Sequence, residues 1–326
     1  MTEQLPRYTD FCDYILGITE EIWEHRKVDS LRRYYSEGIF VRSPTGIVVG
    51  HESVIVSTCA TLAELPDRRL LGEDVIWARM GEDSWLSSHR LFSTATHLGN
   101  GQYGAATGKK LAYRTIADCH AHACEECGWQ IDDEWLIRDQ GAIVRQLGSD
   151  PRTFAMEAID REGGFESCTR PFSPGGFNGP YRGEGNNDET GNRYADTLSR
   201  IMHADLAVVS TEYDRACHLE HPGGKTAHGR SAADSFWLGL RSSFPAAEFK
   251  IDHATGLSEQ GMPRRAAVRW SLAGAHDGFG MFGAPTGADV YVMGASHAEF
   301  GPRGIRREYV ILDETAIWKQ ILIHAG

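Results

Sequence analysis

The chain has 326 residues and a formal net charge of −12, with 33 basic and 45 acidic side chains. This length suits two domains of ordinary size, and the acidic balance argues against nucleic acid, since phosphate contacts need clustered Lys and Arg. No apolar run approaches membrane-spanning length, and the first residues do not resemble a signal peptide. We therefore expect a cytoplasmic protein whose partner is a small-molecule ligand rather than a nucleic acid or a membrane.

The first elements along the chain are predicted to be helical. Apolar residues recur at spacings of three and four from Tyr8 to Ile22, which indicates a helix with one apolar face. A second helical stretch follows Gly50. Four β-like runs come next, at Arg69–Ala78, Ser84–Ser93, Thr107–His122 and Trp129–Arg138. Helices followed by a run of antiparallel strands are typical of an α+β domain.

The same pattern occurs twice. The segment HLGNGQYGAATG at His97–Gly108 recurs as HDGFGMFGAPTG at His276–Gly287, with identical residues at seven of twelve positions. The same offset pairs Tyr34 with Tyr213 without a gap. The second copy's β-like runs are Glu248–Thr255, Ala266–Leu272, Gly287–Glu299 and Ile305–Leu312. One offset kept over so long a stretch indicates an internal repeat.

The repeat sets the predicted domain boundaries. The first domain is assigned to residues 1–149, a linker rich in Gly, Pro and Asn to residues 150–192, and the second domain to residues 193–326. Gly, Asn and Pro favour a flexible connection. The aromatic residues Phe172, Phe177 and Tyr181 would instead allow this segment to dock on a domain, and both interpretations stay open.

Short motifs in both copies point to one family. The first copy has Pro66-Asp67, Thr96-His97, Glu134-Trp135, Asp139 and Gln146-Leu147-Gly148, and the second has His276, Pro285-Thr286-Gly287, Glu308, Asp313 and Gln320. These motifs resemble the SnoaL-like polyketide cyclases of the nuclear transport factor 2-like superfamily. The resemblance implies an α+β fold of two tandem cones, each a strongly curved, mostly antiparallel sheet wrapped around N-terminal helices.

The resemblance also implies a chemistry. Such cyclases use an Asp at the position of Asp139 or Asp313, with a His on the preceding strand, for an aldol closure without metal or cofactor. His120 and Asp139 match this pair in the first copy. In the second copy Glu299 takes the His position, and His297 lies two residues away. The implied function is cofactor-independent acid/base catalysis on a small-to-medium hydrophobic carbonyl compound, as a cyclase, isomerase, dehydratase or hydrolase. The alternative is a tandem module that binds a small molecule without chemistry.

Strand alternation extends the candidate site. The second copy is expected to place His297, Glu299, Tyr309 and Asp313 in its pocket, with His276 at the end of a neighbouring strand. In the first copy the corresponding residues are Asp118, His120, Trp135 and Asp139. We expect the second copy to hold the working site, because the last hairpin of the first copy is enlarged and rich in cysteine.

Several of these residues have a structural interpretation as well. Asp139 and Asp313 each begin a terminal helical segment, where an Asp is a common helix cap. His276 lies in a Gly-rich turn, where a solvated or backbone-bonded His is common. Trp270 is a candidate for contact with the substrate or for core packing.

The cysteines raise the question of a metal. Seven cysteines without a secretion signal favour reduced thiols. The hairpin DCHAHACEECGW brings Cys124 and Cys127 to C-x-x-C spacing, but no second C-x-x-C completes four zinc ligands. His218, His221 and His228 form a second His-rich stretch, for which a polar loop is the simpler interpretation. We therefore expect no metal.

The tandem arrangement suggests a form of assembly. Single domains of this family commonly pair through their sheets, and a tandem chain would satisfy this pairing internally as a pseudo-dimer. A higher homo-oligomer is also open.

Overall fold

A computed structural model describes residues 7–174 and 179–325. The chain divides into two compact units, and each contains a six-stranded sheet within these described residues. The first unit comprises Met1–Arg42, Ile47–Leu136 and Gly175–Gly183, and the second comprises Ser43–Gly46, Ile137–Pro174 and Glu184–Gly326. This division follows three-dimensional contacts, and it cuts the chain at Leu136 rather than at the predicted residue 149.

The helices of the first unit follow the predicted apolar spacing. They are α1 (Phe11–Thr19), α2 (Leu31–Tyr34) and α3 (His51–Glu64), with a π-helical turn at Glu20–Glu24 and a 3-10 turn at Val28–Ser30. The helix α1 begins after Asp10, whose carboxylate accepts a hydrogen bond from the Asp13 amide. Its apolar stripe is buried, with Tyr14 fully covered, and Ile22 of the following π-helical turn is fully covered as well.

The first sheet contains two strands that the sequence did not indicate. Its strands are β1 (Tyr35–Ser43), β2 (Gly46–Val49), β3 (Arg69–Arg79), β4 (Ser84–Thr96), β5 (Lys110–Cys124) and β6 (Gly128–Arg138). The last four are the predicted β-like runs. The strand β2 has only four residues, and β1 mixes Gly, charged and apolar residues without regular alternation. Neither therefore carries the period-two signal of a half-buried strand.

The second unit repeats this arrangement. Its helices are α4 (Gln140–Leu147), α5 (Pro151–Arg161), α6 (Glu189–Met202), α7 (Ala207–Glu212), α8 (Arg230–Ser243) and α9 (Glu314–Ala325). Its strands are β7 (Tyr213–His221), β8 (Lys225–His228), β9 (Glu248–Leu257), β10 (Arg264–Ala275), β11 (Asp289–Gly301) and β12 (Gly304–Leu312). The strand orders are β2-β1-β6-β5-β4-β3 and β8-β7-β12-β11-β10-β9. Because these two orders are the same, the predicted duplicated α+β fold is confirmed.

Each sheet contains one parallel pair of strands. In the first unit β1 runs parallel to β6, with Phe40 opposite Asp133. In the second unit β7 runs parallel to β12, with Leu219 opposite Glu308. The neighbouring pairs β3–β4, β4–β5, β9–β10, β10–β11 and β11–β12 are antiparallel. The sheets are therefore mixed. The first strand of each sheet joins the other strands by pairing with the last strand in sequence.

The predicted linker contains regular structure. The helix α5 occupies Pro151–Arg161 and is capped by Asp150, and its residue Ile159 packs with Leu322 of α9 in a small core. Phe172 contacts the ring of Tyr291 at 5.6 Å. Docking thus describes this part of the segment better than a flexible linker does, whereas Phe177 lies outside the described residues.

Each unit has an aromatic core. Tyr14 and Phe11 are buried in the first unit, and Trp237, Trp270 and Tyr194 are buried in the second. No helix in the described parts of the chain is both long enough and apolar enough to cross a membrane.

Candidate active site

The inner face of each sheet is the side that packs against the helices of the same unit. In the second unit Ala266, Ala298 and Glu308 lie opposite one another on β10, β11 and β12. Ala266 and Ala298 share a buried core with Tyr194 of α6, and the Tyr194 hydroxyl donates to Glu308 at 2.9 Å. Residues directly opposite on neighbouring strands point to the same side. Glu308 therefore lies on the inner face.

The residues predicted to line this pocket lie on the other side. His297 is opposite both Ala267 and Tyr309, one residue out of step with the inner row. Successive strand residues point to opposite sides, so His297 and Tyr309 are on the outer face. Glu299 shares that face, and its carboxylate lies 3.6 Å from the Arg307 guanidinium. His297, Glu299 and Tyr309 thus lie on the outer face of the sheet and not in the predicted pocket on the inner face. A chemical role for these residues stays a prediction.

The two aspartates of the predicted catalytic pairs cap helices in the second unit. Asp313 accepts hydrogen bonds from the Thr315 amide at 2.8 Å and the Thr315 hydroxyl at 2.7 Å. Asp139 accepts from the amides of Ala142, Gly223 and Gly224, each at 2.9 Å. Burial raises the pKa of both carboxyl groups to about 6, against these hydrogen bonds. These hydrogen bonds from backbone amides at the start of a helix are the ones expected if Asp139 and Asp313 are helix caps.

The remaining candidates of the first copy lie in the first unit. His120 belongs to the first unit and Asp139 to the second. His120 Nδ1 lies 2.6 Å from Asp132 Oδ1, and its ring stacks on Tyr181 at 4.4 Å. Asp118 accepts a hydrogen bond from the Ser88 hydroxyl at 2.5 Å, and the Trp135 ring faces the guanidinium of Arg42 at 4.8 Å.

Side chains fill the inner face of the second unit, where we expected the working site. Trp270 is fully buried, and its indole N–H donates to the Ser296 hydroxyl at 2.9 Å. Its ring packs on Trp237 at 5.8 Å and lies where a side chain at Gly294 would otherwise project. Trp270 is therefore a core residue, and the preference for the second copy is not supported. His276 is buried as well, with Nδ1 at 3.1 Å from the Thr286 hydroxyl.

The cysteine pair of the enlarged hairpin is oxidised. Cys124 and Cys127 form a disulfide, contrary to the expectation of reduced thiols at this pair, whereas Cys12, Cys59, Cys119, Cys168 and Cys217 form no disulfide within the described residues. In the His-rich stretch, His218 Nε2 lies 2.7 Å from Glu220 Oε1, and His221 stacks on Phe236. Within residues 7–174 and 179–325, no group of three His, Cys, Asp or Glu side chains is arranged to hold a metal ion.

The inner face of the first unit is different, because it carries polar side chains that the second unit lacks at the corresponding positions. Trp77, Ser87 and Cys119 lie opposite one another on β3, β4 and β5. Val75, His89 and Ala117 form the next row. Val75, Trp77, Ala117 and Cys119 pack in one core with Phe11 and Tyr14 of α1, which identifies this side as the inner face.

Three of these polar groups lack a partner. The Trp77 indole nitrogen, the Ser87 hydroxyl and His89 Nε2 are buried, and none has a hydrogen-bond partner among the described residues. A buried polar group without a partner is costly, and native proteins rarely leave several together without a reason. Burial lowers the pKa of His89 to about 3, and the charge of Arg90 acts in the same direction. His89 is therefore a neutral imidazole at pH 7.

A carboxyl group completes this polar cluster. Glu134 of β6 accepts a hydrogen bond from the Tyr35 hydroxyl at 2.8 Å. Burial raises its pKa to about 7, although the bond from Tyr35 opposes the shift. Its charge also raises the pKa of Cys119, after the larger effect of burial, so the two groups are neighbours. Near neutral pH, Glu134 can therefore both take up and release a proton.

An aromatic wall lies beside the cluster. The Phe11 ring is 5.6 Å from Trp129, Tyr14 is 5.2 Å from Trp129, and Trp85 is 5.7 Å from Trp129. Trp77, Trp85 and Trp129 are partly exposed at the ends of their strands. This wall suits an apolar, flat molecule that carries one or two polar atoms.

The repeat shows how far the two inner faces have diverged. At the offset of the repeat, Ser87 corresponds to Ala266, His89 to Val268 and Cys119 to Ala298, so the second unit lacks these polar side chains. Leu91 corresponds to Trp270 and Ala121 to Phe300, so the second unit is bulkier there. Glu134 and Glu308 recur in both copies. That recurrence is the feature of the sequence that points to Glu134. The sequence prediction instead placed the residues of the other face of the strand in the pocket.

Comparisons with known proteins bear on the fold. No family model matches the sequence, and no curated protein matches it. Among solved structures, IdmH from Streptomyces antibioticus, a candidate polyketide cyclase, is 19% identical with a TM-score of 0.34, over 42% of this chain and 97% of its own. A SnoaL-like polyketide cyclase from Agrobacterium tumefaciens is 22% identical with a TM-score of 0.31, over 39% of this chain and 94% of its own.

A third similar structure has a different reaction in its name. AclR from Streptomyces galilaeus, a candidate hydroxylase, is 18% identical with a TM-score of 0.34, over 41% of this chain and 92% of its own. Fold alone does not determine function. Each of these solved structures covers about two fifths of this chain, and none of these similarities defines a reaction for it.

Proposed function

We propose that the first unit is a cofactor-independent acid/base enzyme that acts on a small-to-medium hydrophobic carbonyl compound. The observation that carries the proposal is Glu134, a carboxyl group with a pKa of about 7, on an inner face that also has unpaired polar groups. A group that titrates near the working pH is suited to general acid/base catalysis. An aldol closure, an isomerisation, an elimination and a hydrolysis all need such a group.

The proposed reaction begins with proton transfer from carbon. The Glu134 carboxylate takes a proton from the carbon beside the substrate carbonyl, and the electron pair of that C–H bond moves to the carbonyl oxygen as an enolate. The Ser87 hydroxyl and the Trp77 indole N–H are free to donate hydrogen bonds to this oxygen. In the aldol branch the enolate carbon attacks a second carbonyl carbon, the C=O π bond of that carbonyl breaks, and its oxygen takes the proton from Glu134. In the isomerisation branch Glu134 returns its proton to a carbon of the enolate system.

Neutral His89 would assist as a polar contact. Its pKa of about 3 makes it a poor proton donor as an imidazolium at pH 7, so we assign it to substrate orientation. The buried Cys119 has a raised pKa and stays a thiol, which does not suit a nucleophile. These two groups therefore leave proton transfer to Glu134.

The test uses a probe ketone, because the proposal concerns the abstraction of a proton from carbon. α-Tetralone is an aromatic ketone whose α-hydrogens exchange slowly with D2O, and NMR follows their loss. We expect the protein to accelerate this exchange and Glu134→Gln to reduce the acceleration about 100-fold, the low end for a general base. The matched control is Glu308→Gln, the same change in the second unit, which should keep the rate of the parent chain.

The outcomes separate the proposal from a binding module. Glu134→Gln must retain its circular dichroism spectrum and melting temperature for its loss to count. If Glu134→Gln and Glu308→Gln exchange equally fast, Glu134 is not the base. Saturable quenching of tryptophan fluorescence by α-tetralone, without any exchange above buffer, would support a non-catalytic module instead.

A further inference from the structure

The turn between β5 and β6 carries a disulfide that the proposed reaction does not use. The strand β5 ends at Cys124 and β6 begins at Gly128, so the bond between Cys124 and Cys127 closes the tip of the hairpin. Cys127 is buried, whereas Cys124 is partly exposed and the intervening residues Glu125 and Glu126 are exposed. A reagent in solvent therefore reaches the Cys124 sulfur first.

This tip is joined to the aromatic wall. Cys127 Sγ lies 3.2 Å from the carbonyl oxygen of Trp129, which also accepts a hydrogen bond from the Tyr14 hydroxyl at 2.7 Å. The Trp129 ring contacts Tyr14 and Trp85. In the disulfide Cys127 has no hydrogen to donate, but a reduced Cys127 thiol could donate to that carbonyl. The state of the sulfur therefore changes the hydrogen bonds that are available to the Trp129 carbonyl.

The second unit closes the equivalent hairpin without cysteine. Only Pro302 and Arg303 separate β11 from β12, and the Arg303 guanidinium pairs with Asp214 at 3.0 Å. In the first unit, Arg33 donates to the Glu126 carbonyl in the turn at 2.8 Å. The cysteine pair is thus found in the unit that has the polar inner face.

We propose that Cys124 and Cys127 form a reversible dithiol–disulfide site that controls the position of Trp129 and thereby access to the inner face of the first unit. The claim that this pair controls access to the inner face rests on the proposed function. The claim that Cys124 and Cys127 interconvert between dithiol and disulfide does not. A thiolate of a dithiol reductant attacks Cys124 Sγ, the Cys124–Cys127 bond breaks, and Cys127 leaves as a thiolate that takes a proton. The second thiol of the reductant then displaces Cys124, so the reductant becomes a disulfide and two electrons pass to the protein.

The charges around the pair define the class of reductant. Glu125 and Glu126 lie between the two cysteines, and their charges disfavour an approaching anionic thiol. A neutral dithiol should therefore react faster than glutathione, which is an anion at neutral pH. Dithiothreitol serves as the neutral probe.

The experiment follows the whole chain in mixtures of reduced and oxidised dithiothreitol. Mass spectrometry of alkylated peptides measures thiols at Cys124 and Cys127, and tryptophan fluorescence reports on Trp129. We expect two extra alkylations in this peptide upon reduction, reversal upon oxidation, and a parallel fluorescence change that is lost in Trp129→Phe. Cys59→Ser removes an exposed free cysteine and should change neither readout.

Three results would overturn the proposal. Full alkylation of both cysteines before reduction would show that no disulfide forms. Failure to reoxidise would show that the site is not reversible, and a fluorescence change that persists in Trp129→Phe would separate the disulfide from Trp129. A Cys124→Ser, Cys127→Ser double variant should have the spectrum of the reduced chain. If α-tetralone is never exchanged but these redox results hold, the proposed function fails and the redox site stands.

Discussion

At the scale of single residues, the face on which a side chain lies decides its chemistry. Glu308 and Tyr309 are neighbours in sequence, yet Glu308 meets the Tyr194 hydroxyl on the inner face and Tyr309 lies opposite His297 on the outer face. Alternation along a strand identifies two sets of residues but does not show which set faces the helices. The sequence therefore predicted the strand that carries the proposed base but did not single out Glu134.

The pKa of Glu134 leads to a pH profile. Because the base is the ionised carboxylate and its pKa is raised to about 7, the exchange of α-tetralone should rise with pH and level off above 7. At pH 5 only about 1% of the group is ionised, so the rate should be about 100-fold below the plateau. The measurement is the enzymatic rate between pH 5 and 9 after subtraction of buffer exchange. Glu134→Gln should show no such rise, and a parent profile that levels off near pH 5 would point to another base.

At the scale of helices and strands, the sequence predicted the four later strands of each copy well. Their alternation is regular and their hairpins are local, so a short window contains the signal. The strands β1 and β7 pair with strands distant in sequence, and only the folded chain reveals them. Asp139 could be interpreted as a cap or a catalyst, and the deciding partners, Gly223 and Gly224, lie far along the chain.

Asp139 gives a test at the level of an element. Asp139→Ala should lower the free energy of unfolding by roughly 2 to 4 kcal/mol, because it removes a helix cap and leaves the buried amide of Ala142 and the less buried amides of Gly223 and Gly224 without this acceptor. Asp139→Asn keeps an acceptor and should cost less. Urea denaturation measures the change, and amide hydrogen exchange at Gly223 and Gly224 should accelerate in the Ala variant.

The exposed cap Asp150 is the matched control. Asp150 accepts from the amides of Arg152 and Thr153 at the start of α5, so Asp150→Ala should cost only about 1 kcal/mol. Equal losses for the two Ala variants would mean that the contacts of Asp139 with Gly223 and Gly224 contribute little.

At the scale of the whole molecule, duplication has produced two units with one topology and different inner faces. The shared topology was visible in the sequence because glycines and turn motifs recur at a constant offset. The sequence did not show that side chains fill the inner face of the second unit, because this depends on the direction in which the Trp270 side chain points. Its ring occupies the space above Gly294, whereas the first unit has Thr115 at that position and Leu91 in place of the Trp.

Trp270 should therefore be a major source of stability. Trp270→Leu introduces the residue of the first unit, removes the contact with Trp237 and leaves Ser296 without its donor, so it should cost roughly 3 kcal/mol. Trp318→Leu on α9 is the control, because Trp318 is only partly buried. Thermal unfolding compares the two variants. A smaller loss for Trp270→Leu than for Trp318→Leu would show that the second unit does not depend on this ring.

The parallel pairing of β1 with β6 has a consequence for synthesis. A ribosome releases β1 long before β6, yet Phe40 finds its partner only at Asp133. Contacts so far apart in sequence close slowly, because the loop between them must first be ordered. The first unit also includes residues 179–183, which follow the helices α4 and α5 of the second unit. A nascent chain therefore holds the β1 edge that later pairs with β6 without this partner through much of its translation. This edge is where we expect chaperones to act on the growing polypeptide.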